Sequence, residues 1–220
     1  MTDRIKVGLV GIGNCFSGLI QGIEYYKKNP SQEVTGIIHD TLAGYGIHDI
    51  DFVCGFDVGE NKVGKLLHEA IYEYPNMVDW IAKDDLPKNE AMVYESPILD
   101  GVGVWVENRI KPITSTKTPE QIAEEVKQII KEKGVEIIVS YLPVGSDKVT
   151  EFWAQICLDT KTAFVNCIPS FIASDEKWAK KFEDANIPCI GDDIKGQVGA
   201  TIVHRTLAKL CSDRGTKIEK

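Results

Sequence analysis

The stretch KVGLVGIGNCFSGLI, Lys6 to Ile20, decides how the rest of the chain is read. From Arg4 to Val10 the residues are almost continuously apolar, the pattern of a strand buried on both faces. Phe16, Leu19, Ile20 and Ile23 then recur at helical spacing. Between strand and helix lie Gly11 and Gly13. Gly11 permits a tight turn, and Gly13 lets the backbone approach a pyrophosphate that the helix N-terminus attracts. The third glycine of such a loop is replaced by Phe16, so the helix must pack on the strand differently. A plain strand–helix turn is the other reading of the same residues.

The pattern continues as alternating strands and helices. Ile50 to Phe56 reads as a second buried strand ending at Asp57, and Val63, Leu66, Leu67, Ala70 and Ile71 mark a second helix. In STKTPEQIAEEVKQIIKEKG, Thr118 is the N-cap, Pro119 opens the helix, Gln121 completes a capping box and Gly134 ends it. Strands VEIIVSY, TAFVNCI and IPCIG follow, with helices from Ser146, from Ser174 and from about Gln197 to Cys211. A β-α-β-α series predicts an α/β fold with a doubly wound parallel sheet, one domain over 1–220. Two stretches, about 29–49 and 74–117, do not fit the series and read as insertions that cover the sheet.

Ligands of such sheets bind at the carboxyl ends of the strands, so the residues there are the candidates. Asp57 ends the second strand. It lies 57 − 13 = 44 residues past Gly13, not the usual twenty or so, and the first insertion accounts for the excess. As a ribose acceptor it would favour NAD over NADP; as a surface residue it would merely start a turn. SYLPVGS (Ser140 to Ser146) and NCIPSF (Asn166 to Phe171) suit the ligand edge, and equally any strand-to-helix turn. In GDDIKGQVGAT (Gly191 to Thr201) two acids precede Lys195. They could take ribose hydroxyls, a cation or a substrate phosphate, or complement a helix dipole.

The totals exclude other classes. A net charge of −8 argues against nucleic acid or an anionic membrane as partner. No leader is apparent at MTDRIKVGLVG, and no apolar run is long enough to span a bilayer. The 6 cysteines include no C-x-x-C pair and read as reduced thiols of a cytoplasmic protein. His39, His48, His68 and His204 have no metal-ligand spacing, so no metal is expected.

GIGNCFSGLIQGIEYY, FDV, SYLPVGS, FVNCIPSFIASD, WAKKFEDANIP and GDDIKGQVGATIVHRTLAKL, taken in order, resemble the prokaryotic inositol-3-phosphate synthases. The resemblance covers the nucleotide-binding portion, from about Lys6 to Lys220, and implies a Rossmann-like domain that lacks most of the family's second, catalytic and oligomerisation domain. It implies NAD as cofactor and D-glucose 6-phosphate as substrate. Oxidation at C5, aldol closure of C6 on C1 and reduction then give an inositol phosphate. By motif match, Gly13, Asn14 and Cys15 would lie under the pyrophosphate, with Gly11 turning the cofactor-binding loop, and Asp57 on the adenosine ribose. Ser140, Tyr141 and Leu142 would line the cofactor, with Asp193 and Gly196 near the nicotinamide. The family's catalytic lysines lie in a segment expected beyond Lys220, leaving Lys195 as the candidate within the chain. The partner expected is another copy, in the family's tetramer, or a complementary catalytic chain. A non-catalytic NAD-binding module and an NAD-dependent sugar-phosphate dehydrogenase are the competing readings.

Overall fold

The computed structural model describes residues 4–29, 36–102, 107–194, 196 and 198–219. Strand β1 (Ile5–Val10) forms the centre of a six-stranded sheet. Its neighbours are β4 (Ile50–Asp57) on one side and β6 (Ile137–Ser140) on the other, both parallel to it. Beyond them lie β5 (Met92–Glu95), β7 (Ala163–Asn166) and β8 (Cys189–Ile190), giving the order β5-β4-β1-β6-β7-β8. The chain moves outward from β1 first in one direction and then in the other, the doubly wound order whose ligand crevice lies at the reversal. Val10 pairs with Phe56 on one side and Ser140 on the other, so the three central strands end level.

Helices cover both faces. On one, α1 (Asn14–Lys28) and the short α2 (Leu67–Ala70) pack Phe16, Ile20 and Leu67 against Val7 and Leu9. On the other, α3 (Pro119–Lys133) and α4 (Asp147–Thr160) bury Ile122, Val126, Ile130 and Trp153 against Cys54, Phe56 and Ile138. Helix α5 (Glu176–Ala185) adds Phe182 to this second core. Helix α6 (Ala200–Asp213) lies apart, with Ile202, Val203, Leu207 and Leu210 exposed.

Helix α3 forms as its caps dictate. Thr118 and Gln121 exchange side-chain and backbone hydrogen bonds, and Gly134 closes the helix in the left-handed region. Two expectations change. The helix expected from Val63 is only the single turn Leu67–Ala70. Gly64, Lys65 and Leu67 instead exchange backbone hydrogen bonds with Ala91 and Val93, where tertiary pairing outweighs helical periodicity. The stretch 74–117, read as cover, also supplies β5, the edge strand beyond β4. Within 29–49, the described residues form the hairpin of β2 (Thr41–Leu42) and β3 (Tyr45–Gly46).

Candidate functional site

A cleft opens at the carboxyl ends of β4, β1 and β6. Its floor is the β1–α1 loop. Gly11 has φ +82°, and a Cβ there would stand 2.7 Å from the Tyr141 carbonyl oxygen, so the tight turn and the close approach both require glycine. The Gly11 amide donates to Phe56 O at 2.9 Å, tying the loop to β4. Gly13 caps α1, no side chain caps it, and the first turn holds no acid. The amides of Asn14, Cys15 and Phe16, the first three helical residues, therefore have no partner within the helix, and its positive end is uncompensated.

The N-terminus of α4 differs. Asp100 reaches across the cleft and accepts from the Lys148 and Val149 amides at 2.6 and 3.1 Å. One helix end at the cleft is filled by the protein's own carboxylate and the other is open. An anionic ligand is directed to α1.

Asp57 is buried, at 7% exposure, yet lines the cleft. Its Oδ2 accepts from the Ile12 amide and its Oδ1 from the Gly59 amide, both at 2.7 Å. A carboxylate has about four acceptor positions, so Asp57 keeps capacity for ligand hydroxyls while it fixes the loop. Val58, Pro97, Ile110, Leu142 and Val149 form apolar walls of the same cleft, a slot suited to a flat ring.

Lys62 and Asn76 were not legible in sequence. Both line the cleft. Lys62 Nζ donates to Ile12 O at 2.6 Å and to Asn76 Oδ1 at 3.1 Å. Asn76 Nδ2 donates to Ile12 O at 3.1 Å and Ile71 O at 2.9 Å. The Ile12 peptide is thus held at its N–H by Asp57 and at its carbonyl by both side chains. Burial pushes the Lys62 ammonium below its usual range, and Asp57 and Glu73 act in the opposite direction.

Phe16 occupies the missing glycine's place, fully buried, with its ring edge-to-face on Tyr141 at 4.7 Å. An aromatic pair between helix and strand end replaces the usual close contact. Burial raises the Tyr141 phenol, which also interacts with the Cys167 thiol.

The cleft brings together Gly11, Gly13, Asn14, Asp57, Tyr141 and Leu142 of the expected set. Cys15, Ser140, Asp193 and Gly196 do not line it. Cys15 is exposed, and Ser140 is fully buried with its hydroxyl unpartnered. Asp193 and Cys15 both act on the Cys167 thiol, and Cys167 and Cys15 act on the Tyr141 phenol. Lys195 lies outside the described residues.

The reading of Asp192 and Asp193 as an acid pair for a ligand needs correction for Asp192. Its carboxylate accepts four hydrogen bonds, from Asn166 Nδ2 and the amides of Ile172, Ala173 and Ser174, at 2.8–3.1 Å. It organises the loop after β7. Among the described residues no cluster of three His, Cys, Asp or Glu could hold a metal, and no helix is long and apolar enough to cross a membrane.

No family model matches the chain. Individual proteins do, over its full length. The inositol-3-phosphate synthase of Mycolicibacterium smegmatis is 45% identical over 99% of this chain. That of Mycobacterium tuberculosis is 45% identical, and that of Corynebacterium glutamicum 43%, each over 100% of it. Along its whole length the chain resembles the N-terminal part of the inositol-3-phosphate synthases. It spans 58% of the length of these relatives. A solved structure named Ari2 superposes on 97% of the chain with a TM-score of 0.80 and 29% identity, and the chain covers 61% of it. A myo-inositol-1-phosphate synthase-related protein from Thermotoga maritima shares the fold, with a TM-score of 0.75 and 20% identity, over 96% of this chain and 60% of its own.

Proposed function

We propose that this chain is the NAD-binding portion of an inositol-3-phosphate synthase acting on D-glucose 6-phosphate. One observation carries the reading. The uncapped N-terminus of α1 opens onto the same cleft as Asp57, at the point where the strand order reverses. The residues present fit a dinucleotide. The open N-terminus of α1 at Gly13 and Asn14 would face the diphosphate, Asp57 the adenosine ribose, and the walls around Leu142 and Val149 the base.

NAD, when bound, supplies a hydride acceptor that returns its hydride within one turnover, so the net reaction is an isomerisation. The chain's own residues bind and orient. Asp57 and the pinned Ile12 peptide preset the loop, which lowers the entropy lost on binding. We assign the nicotinamide half to the neighbourhood of Tyr141, whose phenol interacts with Cys167 and Cys15, while Asp193 acts on Cys167. Lys195 is the chain's candidate cation for the sugar. We assign the remaining cations to the part of the relatives' length that this chain does not span. The exposed apolar side chains of α6 support contact with that part.

A phosphorus NMR time course with the chain, glucose 6-phosphate and NAD tests this. The expected result is NAD binding without conversion, and an inositol phosphate once a chain carrying the relatives' remaining segment is added. Conversion by the chain alone would contradict the division of residues. Accumulating NADH would favour the dehydrogenase reading. Binding with no conversion in the mixture would favour the non-catalytic module.

A further inference from the structure

Lys62 is a buried cation without a counterion. It stands on the turn after β4, is 3% exposed, and lines the cleft. Both oxygens that accept from its Nζ, Ile12 O and Asn76 Oδ1, are neutral. Two carboxylates lie near enough to act on it, Asp57 and Glu73. Asp57 directs its oxygens to the Ile12 and Gly59 amides, and Glu73 pairs with Lys65 at 2.7 Å. Among the described residues Lys62 makes no ion pair. Holding an ammonium out of water with no ion-pair partner is costly, so such a group is expected to meet an anion when the site is filled.

The position says which anion. Nζ is anchored on the carbonyl of Ile12, the residue before the Gly13 cap, so the charge lies against the loop itself. The same cleft receives the open N-terminus of α1. Two independent attractors of negative charge, a buried ammonium and an uncapped helix end, therefore border one cleft. Two of the three ammonium hydrogens are used inside the protein, and the third is left for a ligand.

We propose that Lys62 binds the diphosphate of the dinucleotide, adding a full positive charge to a loop that would otherwise hold it by backbone amides alone. This rests on the NAD reading above. A charge-assisted bond is roughly twice as strong as a neutral one. Lysine suits the position as a compact point charge, whereas the planar guanidinium of arginine would need a wider opening.

The test compares the full chain with its Lys62→Met variant by calorimetric titration of NAD, NADP and ADP-ribose, with adenosine followed by ligand-observed NMR. The expected result is a loss of about tenfold or more in affinity for NAD and ADP-ribose, with adenosine changed by less than about twofold. Equal losses for adenosine and ADP-ribose would make Lys62 a structural strut between Ile12 and Asn76 and overturn the proposal. So would a loss confined to NADP, which would place the ammonium at a 2′-phosphate. A wild-type chain that is folded yet binds neither NAD nor ADP-ribose would reject the NAD reading itself. If Lys62→Met does not fold, the wild-type chain decides. The Lys62 side-chain NMR signals should move on addition of ADP-ribose or inorganic pyrophosphate and stay fixed with adenosine; the reverse pattern overturns the assignment.

Discussion

Asp57 and Phe16 show how single residues set the site. Asp57 performs two tasks with one carboxylate, holding the loop through Ile12 and Gly59 and facing the cleft. Asp57→Asn keeps the shape but loses charge and one acceptor. Its NAD dissociation constant, read by calorimetry, should rise about 10- to 100-fold, corresponding to about 1.5–3 kcal/mol. Unchanged affinity would remove Asp57 from the ribose site. Phe16 is fully buried against Tyr141. Phe16→Ala should destabilise the chain by about 3–5 kcal/mol in urea unfolding, because removing a fully buried ring leaves a cavity. Asp57 was legible because a polar residue ending an apolar strand stands out. Lys62 was not. It sits in VGENKVGK, which reads as a solvated turn, and only the return of the chain through Asn76 buries it.

At the scale of elements, legibility followed local physics. Helix α3 announces its own caps, and the structure has them in place. Strand β5 and the single turn of α2 depend on each other, through bonds from Gly64, Lys65 and Leu67 to Ala91 and Val93, and no local pattern encodes that pairing. The loop after β7 likewise takes its shape from Asp192, 18 residues or more along the chain. Asp192→Ala would strand the Ile172, Ala173 and Ser174 amides. Destabilisation of about 3 kcal/mol or more is expected, with faster hydrogen exchange concentrated at those three amides. Uniform exchange across the chain would show that the loop does not rely on Asp192.

For the whole molecule, the sheet buries a separate core on each face, and its central strands carry the cleft at their common end. The alternation of strands and helices made that architecture readable; the depth at which single thiols lie was not. Burial raises Cys54 from 9.0 to about 12, with Lys133 opposing. Burial likewise raises Cys189 from 9.0 to about 12, and Asp192 adds to it. Below pH 9.0 both thiols are neutral folded or unfolded, and their contribution to stability is fully present. As pH climbs toward about 12 the unfolded chain ionises while the folded one resists, so stability declines. Urea midpoints measured between about pH 8 and about pH 10.5 should fall, and fall less steeply in Cys54→Ala. Equal slopes would mean that Cys54 is not held neutral.

The central claim is that the Gly11–Gly13 loop, the open end of α1 and Asp57 form one dinucleotide site. Calorimetric titration of NAD into the 220-residue chain tests it most directly, with unfolding curves confirming that the protein is folded. Saturable binding at one site per chain, weakened in Asp57→Asn, is the predicted result. A folded chain that takes up no NAD, or binds it equally well without the Asp57 carboxylate, would contradict the account.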